Sequence, residues 1–125
     1  MTAPVYQQFP LPVPPGGGDQ EFVLTQGGGS VTFHPRVVRT VEGLQGNANP
    51  TTVNFGTGWI GQRIYLFYKQ GPIPSSLILG STIVLGTTIT SYTATNTAGA
   101  RDILELVCID GFNWALVLVA QGFTV

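Results

Sequence analysis

Charge is what this chain has least of. Of its 125 residues only 9% are charged, five Lys or Arg against six Asp or Glu, where a soluble domain ordinarily carries roughly 25%. So few ions solvate little surface, and a net charge of -1 adds little repulsion between copies. Much of the nominal surface is therefore expected to be covered by other chains. The cations Arg36, Arg39, Arg63, Lys69 and Arg101 form no cluster in sequence, so nucleic acid finds no electrostatic footprint. No run approaches the roughly 20 apolar residues of a membrane-spanning helix, and the N-terminus has neither the basic nor the apolar stretch of a signal peptide. Neither nucleic acid nor membrane is an expected partner. Cysteine is down to one. Cys108 has no intrachain disulfide partner, which fits synthesis in a reducing host cytoplasm, and it reads as a small buried hydrophobe within a strand.

Histidine is equally scarce. His34 is the single candidate base for a Ser/His/Asp triad or a Cys/His pair, and beside Pro35 it reads as a loop or strand-end residue. One His and one Cys do not assemble a structural zinc site within one chain. Three copies of His34 around a threefold axis could meet at a metal, a weaker reading than the loop one. Helical periodicity is missing too: no segment repeats apolar residues at helical spacing over three turns.

What remains is β chemistry. Residues 21–125 read as one domain of short strands, rich in β-branched and aromatic side chains: Glu21–Thr25, Ser30–Phe33, Val37–Leu44, Thr51–Phe55, Arg63–Lys69, Ser76–Leu79, Thr82–Leu85, Thr88–Thr93, Asp102–Ile109 and Asn113–Ala120. Gly27–Gly29, Asn47–Pro50, Gly71–Pro72 and Asn96–Gly99 supply turns between them. The expected fold is all-β, with short antiparallel strands in a compact sandwich or jelly-roll-like domain, or in an intertwined trimeric one. Asp110-Gly111 is the hairpin signal between the last two strands. In the second of these, Trp114, Leu116 and Leu118 are expected to point one way and Ala115, Val117 and Val119 the other. Both sets are apolar, whereas a half-solvated sheet alternates with polar residues. A sandwich, or a sister protomer, is needed to cover them.

Residues 1–20 differ. Pro4, Pro10, Pro12, Pro14 and Pro15 lead into Gly16, Gly17 and Gly18, and proline fixes φ while removing a donor. An extended arm is expected, partly polyproline II. Val5, Tyr6, Phe9, Leu11 and Val13 recur along it, so its apolar side chains are expected to dock on a neighbouring subunit or partner.

Catalysis has little to stand on. Gly56, Gly58 and Gly61 spell G-x-G-x-x-G after a strand, but the dinucleotide fingerprint needs a helix next. Gln62–Tyr68 reads as a strand instead, and turn glycines explain the pattern. Asp102 and Glu105 are odd-spaced on one strand and so face opposite ways; Asp102 beside Arg101 reads as a surface or intersubunit ion pair. Asp110 belongs to the turn, and Glu42 is isolated. Tyr65, Phe67, Tyr68, Trp59 and Trp114 could form a sugar platform, but without polar neighbours they read as core or interface anchors. No enzyme, cofactor or metal site is expected.

Two stretches carry a resemblance. Gly61-Gln62-Arg63-Ile64-Tyr65-Leu66 resembles the glycine-glutamine motif leading an apolar strand in trimeric β-structured domains of tailed-phage fibres, spikes and decoration (cement) proteins. Asp102–Trp114, an acid-led strand ending in Asp-Gly with Trp three residues on, resembles the closing hairpin of those domains. The likeness spans about Val37 to Val119. It implies a homotrimer, in which Ile64, Leu66, Leu104, Leu106, Trp114, Leu116 and Leu118 form the core or trimer interface. Such a domain usually ends a longer polypeptide; here it follows a short arm from Met1, which suggests a small add-on subunit. The expectation is a structural virion protein on the capsid surface, a cement trimer whose arms bind the major capsid protein or another virion protein. The alternative is a tail-associated fibre, tip or adaptor trimer, with a host glycan as its candidate ligand.

Overall fold

The computed structural model describes residues 24–125. The chain enters at β1 (Leu24–Gln26) and crosses to β2 (Gly29–Phe33). It returns as β3 (Arg39–Gln45), crosses to β4 (Thr51–Phe55), returns as β5 (Arg63–Lys69) and crosses again to β6 (Leu77–Leu79). β1, β3 and β5 pair in parallel in one sheet, and β2, β4 and β6 in parallel in a second. The result is a winding of three unequal coils. A short β7 (Ile83–Val84) and the hairpin of β8 (Arg101–Cys108) and β9 (Trp114–Phe123) then extend the first sheet to six strands in the order β1-β3-β5-β8-β9-β7. No helix occurs among the described residues.

The all-β expectation holds, but the antiparallel one needs correction. Only β5–β8 and β8–β9 are antiparallel; the other five pairings among the described residues are parallel. Period-two alternation looks the same in either arrangement. What differs is the corner. A hairpin turn reverses the chain within one sheet, whereas the Gly-rich corners here send it across to the other, and the strand laid down there serves as the crossover a parallel pair requires. The expected strand over Thr88–Thr93 is absent as well. That stretch is irregular, with Ile89 and Tyr92 packed on the core.

The core lies between the sheets. Ile64, Leu66 and Tyr68 from β5, Leu104, Leu106 and Cys108 from β8, and Trp114 and Leu116 from β9 face Val53 and Phe55 of β4. The Phe33 and Phe55 rings stack at 5.9 Å, Phe55 meets Trp114 at 5.8 Å, and Trp114 Nε1 donates to the Gly56 carbonyl at 2.9 Å. Each large apolar side chain so buried contributes roughly 2 kcal/mol. Cys108 is a fully buried free thiol.

One expected register fails. Leu106 opposes Leu116 but Glu105 opposes Leu118, so Val117 is an extra residue in β9. Such a bulge inverts the alternation beyond it. Leu118 therefore joins the face of Glu105, half-exposed, while Val119 takes the inner place opposite Leu104. The hairpin connection is also longer than a two-residue turn. It spans residues 109–113, closed by Ile109 N–H to the Asn113 carbonyl. Asp110 accepts from the Phe112 and Asn113 N–H groups and the Asn113 amide, which hold its carboxyl below the usual range.

Candidate interaction surface

The register that buries Ile64, Leu66 and Leu104 turns the alternate residues of the same strands outward. Val41 of β3 lies beside Tyr65 of β5, which opposes Glu105; Phe67 opposes Ile103, and Arg63 opposes Val107. On β9 the outer row continues as Ala115, Leu118, Ala120 and Phe123. The outer face of the six-stranded sheet is thus mostly apolar, with Val41, Leu118 and Phe123 exposed and Tyr65, Ile103 and Val107 half-buried. Four cations share it: Arg39, Arg63, Lys69 and Arg101. Among the described residues Glu105 is the one acid on it, paired to Arg63 at 2.5 Å. At one margin a groove is lined by Leu24, Phe67, Tyr68, Lys69 and Arg101.

A second apolar cluster sits where three loops meet at the end of this sheet. Gln62 is 2% exposed; its Oε1 accepts from the Trp59 N–H and its Nε2 donates to the Val37 carbonyl. Gly61 N–H reaches the Cys108 carbonyl and Gly58 N–H the Gly111 carbonyl. Bound together in this way, the loops present Val37, Val38, Trp59, Ile60, Ile109 and Phe112, all exposed. The G-x-G-x-x-G stretch is thereby accounted for. A Cβ on Gly58 would run into the Trp114 ring, and Gly61 sits at φ +91°, where side chains are strained. His34 packs beside Gly56 for the same reason of close approach. Trp59, expected as a core or interface anchor, is outside the core and projects outward.

Asp102 corrects another expectation. It is buried, not a surface partner of Arg101. Its carboxylate accepts from Tyr92 Oη at 2.7 Å, Thr95 N–H at 2.9 Å, Thr95 Oγ1 at 2.7 Å and Gly122 N–H at 3.0 Å, with Gln121 Nε2 at 3.3 Å. Burial pushes its carboxyl upward, but these donors together outweigh that and hold it below the usual range. Burial, and then donation to Asp102, push the Tyr92 hydroxyl up. Every partner is a strand or loop of this chain, so the group ties residues 92–95 and the end of β9 to β8. Glu105 does face the opposite way, as the odd spacing requires. Glu42 lies on the inner side opposite Leu66, and burial pushes its carboxyl up. Among the described residues no three of His, Cys, Asp and Glu gather as a metal cluster.

The seven residues expected as core or trimer interface separate cleanly. Ile64, Leu66, Leu104, Leu106, Trp114 and Leu116 are inside the single chain, while Leu118 is outside. The outward row of Val41, Tyr65, Ile103 and Val107 was missed, although its signal, strands apolar on both faces, is plain in the sequence. The arm residues Val5, Tyr6, Phe9, Leu11 and Val13 lie outside the described residues. Comparison with protein families, with curated proteins and with solved structures gives no match to this chain.

Proposed function

We propose that this protein is a non-enzymatic structural subunit that assembles through the outer face of its six-stranded sheet. The observation that carries the reading is that face itself, mostly apolar across four strands in a chain that is 9% charged. An accessible apolar sheet face of this breadth is what association surfaces present and what isolated soluble proteins avoid. Together with the sequence resemblance, it supports a homotrimer that decorates and stabilises a tailed-phage capsid, with residues 1–20 reaching neighbouring subunits. Three arms per trimer would add avidity without a new kind of contact.

The apolar loop end favours a second reading, a tail-associated tip or adaptor. Trp59, Ile60 and Phe112 project from loops that Gln62 holds together, an arrangement suited to touching another surface end-on. Quantitative mass spectrometry of purified particles separates the two. Hundreds of copies per particle are expected of a decoration protein, about a dozen of a tail component, and absence from particles removes the virion reading altogether.

A further inference from the structure

Charge narrows what can cover the outer face of the six-stranded sheet. It holds four of the five cations of the chain, Arg39, Arg63, Lys69 and Arg101, and only Glu105 offsets them. Two such faces meeting across a twofold axis would set these cations against one another, because an isologous interface pairs a patch with itself. The described acids offer no complement elsewhere: Asp102 is buried in its own network, Asp110 is tied into the turn, and Glu42 lies on the inner side. One stretch of the sequence has the missing chemistry. Residues 1–23 contain Asp19 and Glu21, no Lys, Arg or His, and a series of apolar side chains from Val5 to Val23.

We propose that residues 1–23 of a sister copy lie on this face, the apolar positions Phe9, Leu11 and Val13 over Val41, Tyr65, Ile103 and Leu118, and Asp19 and Glu21 against Lys69 and Arg101. This rests on the assembly reading and names the occupant that reading leaves open. A sister copy is the occupant the assembly reading requires, because a segment lying on its own face would join no two copies. In the extended form expected from their prolines, residues 1–15 span about 45 Å at roughly 3.1 Å per residue. The seven residues of β5 need about 23 Å, and five strands side by side about 24 Å, so the segment is long enough to cross the face of a neighbouring copy. A segment on one copy meeting a different surface on the next is a heterologous contact. Such contacts close into rings when the rotation permits, which is compatible with three copies.

The test uses the full chain. Unlabelled protein with photo-reactive benzoylphenylalanine in place of Phe9 is mixed with ¹⁵N-labelled protein, dissociated, reassociated and illuminated, and crosslinked peptides are mapped by mass. Crosslinks from position 9 to heavy peptides containing Tyr65 or Ile103 are expected. In addition, Lys69→Glu with Arg101→Glu should weaken association at least about tenfold through like-charge contact, and Asp19→Lys with Glu21→Lys in the same chain should restore most of it. Crosslinks confined to light peptides of the same chain overturn the exchange, as do crosslinks to the three-stranded sheet or none to the six-stranded face. The mass of the uncrosslinked sample separates the two failures. An intact oligomer without these crosslinks refutes the occupant alone, whereas a monomer refutes the assembly reading with it.

Discussion

The two sheets share one core yet present opposite exteriors. Facing out from the three-stranded sheet are Ser30, Thr32, Thr52 and Asn54, with Ile78 as the apolar exception. Facing out from the six-stranded sheet are Val41, Tyr65, Phe67, Ile103, Val107, Leu118 and Phe123, with the charges of Arg39, Arg63, Lys69, Arg101 and Glu105 set among them. Their inner faces are alike, closely packed and apolar. Folding requires only the inner faces, so the difference outside is not set by the core, and the proposed assembly is one account of it: the polar exterior left to water and the apolar one covered by protein.

Substitutions can break that comparison, and the inner faces should respond most. Leu66→Asp or Leu106→Asp places a charge without a partner in the core, at a cost of several kcal/mol that exceeds what a chain this size can spare. Loss of the folded circular dichroism signal is expected, whereas Thr52→Asp on the polar exterior should shift stability by less than about 0.5 kcal/mol. Next comes the apolar exterior. Ile103→Asp should leave the chain folded but lower association by about tenfold or more, measured by sedimentation; a variant that still associates normally would remove this face from the interface.

Asp102 should matter to stability and not to association. Asp102→Ala is expected to cost about 3 kcal/mol in urea melts, because it strips several donors of a charged acceptor. The same carboxyl sets an acid limit. Its folded value lies below the ordinary 3.8, so its contribution is present above that pH and is lost as pH falls through the lowered value. Asp102→Asn should accordingly flatten the acid limb of the stability profile.

Glu42 should show the smallest effect, of opposite sign. Burial raises its value above 4.5, so folding is favoured by its neutral form, and stability declines as pH rises from 4.5 through the raised value. Glu42→Gln should be modestly stabilising at pH 7 and neutral near pH 4. Equal effects at both pH values would show that burial is not the cause.

These contrasts also show how far the residues speak for themselves. Strand positions such as Thr51–Phe55 and Arg63–Lys69 were readable to the residue, because β-branched and aromatic alternation is a local property. Cys108 as a buried hydrophobe and Glu105 opposite in face to Asp102 followed from the same period of two. Parallel winding was not readable, since Gly-rich corners such as Gly27–Gly28 look the same whether the chain reverses or crosses. Leu118 misled because one bulged residue, Val117, inverts the alternation from Leu118 to Ala120 and leaves no mark in composition. Asp102 misled because its donors come from Tyr92, Thr95 and Gly122, residues 7 to 20 positions away. The outer apolar row was visible as doubly apolar strands, but only the register showed which half is core and which half faces out.

Sedimentation of the intact chain at micromolar concentration tests the central claim most directly. Three times the 13.3 kDa chain mass is the result expected if the outer face of the six-stranded sheet is covered by sister copies. A single well-folded species at 13.3 kDa, with Val41, Tyr65, Ile103 and Leu118 open to solvent in footprinting, would contradict it.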